Sequence, residues 1–160
     1  MKKRGPANKY LQKERNINMI SCTEFIPAYS EGFKFLEQLG GREEVEKFWS
    51  TLSDLYLKDS LSKLIKEKGL EGCFEYWSHS LNEEAADFTM TLDKNRNEFR
   101  IEMHRCPSKG KLLELKHMTP YHSYCDHCEA LYRPVAEKAG FKYKSEVDCD
   151  NASCTHIIYK

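Results

Sequence analysis

Apolar residues recur every three or four positions through the first half of the chain and every second position through much of the second half. Phe33, Leu36 and Leu39, followed by Gly40-Gly41, predict a short amphipathic helix that begins near Ser30 and is stopped by glycine. Val45, Phe48, Trp49, Leu52, Leu55 and Tyr56 continue the helical period, and the stripe extends to Leu61, Leu64 and Ile65 before Gly69, so one longer helix is expected there. Cys73, Phe74, Trp77 and Leu81 predict a third helix with Tyr76 at its flank. Aromatic residues at helical spacing are usually core, and Phe48, Trp49, Phe74 and Trp77 are assigned to it.

After Glu84 the period becomes two. Phe88, Met90 and Leu92 alternate with Asp87, Thr89 and Thr91; a polar turn over 93–97 follows; then Phe99, Ile101 and Met103 alternate with Arg100, Glu102 and His104. This is a hairpin with one buried face, whose other face carries Glu102 and His104. A short helix is expected over 109–117 and a longer one over 121–139, with Pro134 predicted to kink or split the second. Residues 141–147 and 155–159 read as two further strands around a loop at 148–153. The fold class is therefore α+β, with N-terminal helices packed on one face of an antiparallel sheet of about four strands.

A length of 160 residues suits one domain, divided into a helical half (30–84) and a cysteine-rich αβ half (86–160). Lys2, Lys3, Arg4, Lys9, Lys13 and Arg15 against Glu14 give residues 1–20 a charge of +5, expected of a solvated, mobile leader before a domain at 21–160. Over the whole chain 25 basic residues balance 25 acidic ones, which argues against a dedicated polyanion binder, so no nucleic-acid partner is expected. No apolar run approaches the roughly 18 residues needed to cross a bilayer, and the first residues lack the apolar stretch of a secretory signal. No membrane partner is expected and the location is read as cytoplasmic. A small-molecule substrate is the expected partner; assembly into a homo-oligomer is left open.

In a reducing compartment, seven cysteines point to thiol chemistry or metal binding more than to disulfides. Cys106, Cys125, Cys128, Cys149 and Cys154 lie in the last 55 residues with His117, His122, His127 and His156, and His104 stands just upstream. Two explanations compete. Cys125-x2-Cys128 and Cys149-x4-Cys154 supply four thiolates to a zinc, although the first pair falls in a helical pattern. Alternatively the thiols line a pocket in which one cysteine is a nucleophile or ligates a catalytic metal. Cys125 at a helix start is favoured as thiolate. Cys106, at a strand end, shares the polar face with His104 if alternation persists, and thereby gains a candidate base. His79 and His117 read as surface residues, His122 and His156 as ambiguous, and His127 as pointing away from at least one neighbouring cysteine. Cys22 and Cys73 read as small apolar residues.

Arg105-Cys106-Pro107 closing a strand, Tyr124-Cys125 opening a helix with Cys128 and Leu131-Tyr132 behind it, Gly140-Phe141, and Cys154 before an apolar terminal strand together resemble the family of L-2-amino-thiazoline-4-carboxylic acid hydrolases. The resemblance covers residues 76–158. The cysteine pattern is also similar to that of 4-vinyl-reductase-like domains, which bind small ligands or metal. The resemblance implies a small α+β hydrolase that opens a cyclic amidine such as a thiazoline at a non-peptide C–N bond. Such chemistry needs a nucleophile, a proton donor for the leaving atom and charge stabilisation. In one arrangement Cys106 is the nucleophile, His104 the base and Arg105 the charge stabiliser, with Cys125, Tyr124 and Glu102 against the substrate. In another, Cys106, Cys125 and Cys154 hold a divalent metal, zinc first, whose bound water attacks. A non-enzymatic module that binds zinc or a small ligand is the alternative function. Cys128 and Cys149 exceed the three cysteines of the family's pattern and favour a metal.

Overall fold

The computed structural model of the chain describes residues 2–4, 24–84 and 86–160, with the backbone alone for residues 2–4. The elements run β1 (Lys2–Arg4), α1 (Phe25–Gly40), α2 (Arg42–Tyr56), α3 (Leu61–Lys68), α4 (Leu70–Glu83), β2 (Asp87–Asp93), β3 (Glu98–Arg105), α5 (Pro107–Glu114), α6 (Asp126–Lys138), β4 (Lys142–Asp148) and β5 (Ser153–Tyr159). The strands form one antiparallel sheet in the order β1-β2-β3-β5-β4. The α+β class follows the sequence pattern. Four of the strands are those expected; β1 falls inside the basic segment and pairs with the edge of β2. The rest of that segment, and Cys22, lie outside the described residues.

The helical half departs from expectation in two places. The first helix starts at Phe25, earlier than Ser30, because Ile26 and Tyr29 pack on the cluster that contains Phe33. The expected long helix over 45–65 is two helices, α2 and α3. The chain leaves the helix over the polar residues 58–60, where no apolar side chain is lost from the core, while Leu57 and Leu61 on either side stay buried. Leu39, Leu55 and Tyr56, assigned to buried stripes by spacing, are exposed. The helical period marks a stripe wider than the part that finds a partner. Pro134 does not split α6, which is continuous.

Two apolar clusters hold the helices. Phe33, Val45, Trp49, Leu112, Tyr121 and Tyr124 join α1, α2 and α5 to the start of α6, and Phe33 meets Trp49 edge-on at 5.2 Å between ring centres. The larger cluster lies between the sheet and α3, α4 and α6, where Trp77 stacks on Phe99 at 5.5 Å. Close approach of α3 and α4 depends on Gly72, since a Cβ there would stand 2.2 Å from the Leu64 carbonyl oxygen. Polar ties also join the helical elements to one another. Ser53 Oγ donates to the Leu131 carbonyl at 2.7 Å, and the Tyr121 N–H donates to Ser30 Oγ at 2.8 Å.

Sheet register determines what faces the helices. Directly paired residues share a face, so Phe99 with Ile158, Ile101 with His156 and Met103 with Cys154 form successive inward rows. On the other side of β5 the same rows continue into Tyr143, Ser145 and Val147. The inward face is thus apolar at one end and carries sulfur and imidazole at the other.

Candidate functional site

Cys106 follows the last residue of β3 and caps the N-terminus of α5. Its backbone is extended (φ -66°, ψ 123°), Pro107 fixes the first helical turn, and its sulfur accepts the Lys109 N–H at 3.4 Å. Its own N–H donates to the Ala152 carbonyl at 2.7 Å, tying the end of β3 to the β4–β5 turn that leads into Cys154. Ala152 holds a left-handed φ of 53°, so this tie is kept at some backbone cost.

Cys106, Cys128 and Cys154 line one cavity of about 460 Å³ together with Tyr124, His127 and His156. The same six residues also wall a second, small chamber of about 30 Å³, which Cys125, Lys109 and Ser153 line as well. The β3–α5 junction, the loop before α6, the helices α5 and α6 and the strand β5 are all needed to bring these residues together, and only the inward row through Cys154 and His156 follows a simple period.

All the thiols here are held neutral. Burial pushes Cys106 up to about 11, opposed by N–H donation from Lys109 and Ser108. Burial likewise raises Cys128 and Cys154 to about 12, with the neighbouring Glu84 carboxylate adding to the effect at Cys128. Cys125 is raised further, by burial first and then by a hydrogen bond with the Cys149 thiol. Cys106 is the thiol with backbone N–H groups to accept a developing charge.

Two histidines that spacing alone left aside face this cavity. The His127 Nδ1–H donates to the Tyr124 carbonyl, which can only accept, so Nε2 is the free acceptor; it lies 3.5 Å from Cys128 Sγ. Burial lowers the His127 pKa. His156 Nδ1 and the Tyr143 hydroxyl are hydrogen-bonded at 2.7 Å, and burial lowers His156 to about 4. Both imidazoles are therefore neutral at neutral pH and available as bases. The period of two running back from Ile158 signals the inward position of His156. For His127 the signal was weaker: adjacent helix residues differ by about 100° in direction, yet both border a concave wall.

Other expected site residues stand elsewhere. His104 lies on the outer face of the sheet, its Nε2 2.8 Å from Thr89 Oγ1, in an open groove with Glu102, Glu146 and Asp148. Alternation does not carry through to Cys106, because the chain leaves the sheet at Arg105 and turns into α5, which returns Cys106 to the side of Met103. Arg105 is exposed, pairs with Glu114 at 3.1 Å and covers Gly110. Glu102 is the outer-face neighbour of Arg100. Tyr124 and Cys125 do reach the cavity walls; the Tyr124 hydroxyl is hydrogen-bonded to Ser108 Oγ. Cys149 stands in the β4–β5 turn behind Cys125. Among the described residues no group of three or more His, Cys, Asp or Glu side chains is arranged to hold a metal ion. Cys106, Cys125 and Cys128 each already have a hydrogen-bond partner in the fold, so the expected metal shells through Cys106, Cys125, Cys128, Cys149 and Cys154 would need these contacts to be exchanged. His79, His117 and His122 are exposed, and Cys73 is fully buried in the core.

Among the described residues no helix is long and apolar enough to cross a membrane. Comparison of the chain with protein-family models, curated proteins and solved structures returns no match.

Proposed function

We propose that the chain is a small-molecule hydrolase that opens a cyclic amidine at a C–N bond, with Cys106 as nucleophile and His127 as base. The observation that supports this most is the convergence on one cavity of Cys106, a helix-capping thiol bonded to backbone N–H, with the neutral imidazoles of His127 and His156. The resemblance to thiazoline hydrolases leads to the same Cys106.

The Cys106 thiol gives its proton to His127 Nε2 while sulfur attacks the amidine carbon. Negative charge is stabilised as it develops on that sulfur by the N–H groups of Ser108 and Lys109. The bond from the carbon to the ring nitrogen breaks, and the nitrogen leaves as an amine carrying the proton from His127. Water then adds to the carbon of the thioimidate, giving one proton to His127, and the Cys106 sulfur departs and recovers that proton. One water is consumed and the thiol is restored. In the resting protein His127 Nε2 faces the thiol of Cys128 and is exchanged to Cys106 when substrate enters. His156, held by Tyr143, orients within the network in which Arg133 donates to the Tyr143 carbonyl at 2.9 Å.

The test is ring opening of 2-amino-2-thiazoline by the wild type and by Cys106→Ser, followed by proton NMR. Turnover in the variant should fall by ~10³-fold or more, as expected for loss of a nucleophile. Serine is itself a good helix N-cap, so the melting temperature should change little. Unchanged turnover would refute the assignment. Binding of the ring without turnover in either protein would point instead to the ligand-sensing alternative.

A further inference from the structure

The walls of the large lobe are chemically uneven in a way that bears on what enters it. Tyr29, Tyr56, Tyr76, Trp77 and Tyr132 are among the residues that line it, and its 460 Å³ is in the range of pockets that take drug-sized molecules. No lysine or arginine is among the described residues that line it. Lys109, the nearest buried cation, contributes to the small chamber behind the thiols and not to the lobe. Among the described residues that line it the one carboxylate is Glu84, just beyond α4, and no ion pair to it is formed among the described residues. Its charge reaches the cavity, since it acts on Cys128 and Tyr132.

We propose that the substrate is a cationic amidine with an uncharged aromatic or alicyclic body and no carboxylate, its amidinium drawn to Glu84 and its body packed among the tyrosines and Trp77. This deepens the hydrolase reading and rests on it for the reacting carbon. It also departs from the substrate that the sequence resemblance implies. A ring carboxylate would be brought in beside a like charge and among described lining residues that include no cation, so none of them offsets its desolvation cost. An aromatic substituent would instead be removed from water against rings that present faces and edges to it.

Three probes separate these cases: 2-amino-2-thiazoline, its 4-phenyl derivative, and its 4-carboxylate. Binding is measured by quenching of intrinsic fluorescence on Cys106→Ser, which holds the fold without consuming the probe, and turnover is measured on the wild type. The phenyl probe should bind at least ~10-fold more tightly than the bare ring, from the area a phenyl group buries, and the carboxylate more weakly than the bare ring. Glu84→Gln should weaken the bare ring and the phenyl probe by several-fold alike. Ser80→Phe, a half-buried position on the lobe wall, should abolish the phenyl advantage. Tightest binding by the carboxylate, no gain from phenyl, indifference to Glu84→Gln, or failure of all three probes to bind would each overturn the proposal. Phenyl-selective binding without wild-type turnover would overturn the hydrolase reading alone. Turnover that favours the carboxylate would overturn the substrate class alone.

Discussion

His104 and Cys106, with one residue between them, face opposite sides of the sheet: His104 bonds Thr89 across the outer face at 2.8 Å, and Cys106 caps α5 on the helix side. In the proposed hydrolase the base for the Cys106 thiol would therefore come from another element, and His127 on α6 lines the same cavity. His104→Ala should leave turnover within about threefold of wild type, whereas His127→Ala should lower it by ~100-fold or more, the range typical of a lost general base. Steady-state rates with 2-amino-2-thiazoline check both, and an equal loss in the two variants would contradict the placement.

The buried imidazole of His156 makes stability depend on pH with a definite sign. Its pKa is about 4 in the folded protein and about 6.5 in an unfolded chain. Between these values the unfolded state binds the extra proton, so this contribution is complete above pH 6.5 and is lost as pH falls toward 4. The loss amounts to about 3 kcal/mol at the low end, and the lowered His127 adds in the same sense. Urea unfolding of wild type and His156→Gln at pH 7.5, 6, 5 and 4.5 should show a shallower decline in the variant. Parallel curves would mean that His156 is not held neutral by the fold.

Packing of α3 on α4 makes a separate claim. Gly72→Ala would place a methyl group 2.2 Å from the Leu64 carbonyl oxygen and 2.5 Å from its carbon. Backbone cannot move away as a flexible side-chain tip can, so a destabilisation of about 3 kcal/mol is expected. Gly32 in α1 has open space where its Cβ would be, and Gly32→Ala should stabilise by about 0.5 to 1 kcal/mol. Calorimetry of the pair measures the contrast, and a similar melting temperature for both would remove the close-approach argument.

Much of the fold was legible from spacing because the sheet residues obey a period of two and the core rings of α2 and α4 a period near 3.6. Phe88, Met90, Leu92, Phe99, Ile101 and Met103 are all buried as alternation requires. The convergence of Cys106, Cys125, Cys128 and Cys154 was legible only as a concentration of residue types. Their meeting depends on the α5 turn after Arg105 and on the pairing of β5 beside β3, neither of which a linear period encodes. Alternation misplaced Cys106 because it was continued one residue beyond the strand. It found the outward His104 correctly, on the face of the sheet opposite the Cys106 thiol. His127 was set aside by a helical-wheel argument that treats a helix as standing alone, whereas here its N-terminal turn is wrapped by Tyr29, Phe33 and Tyr124.

Acid-quenched mixing of wild-type protein with 2-amino-4-phenyl-2-thiazoline, followed by intact-mass and peptide analysis, tests the nucleophile directly. A transient adduct with the mass of the whole amidine, located on the peptide containing Cys106 and absent in Cys106→Ser, is the predicted result. An adduct on Cys128 or Cys125 instead, or full turnover with no adduct on any cysteine, would contradict it.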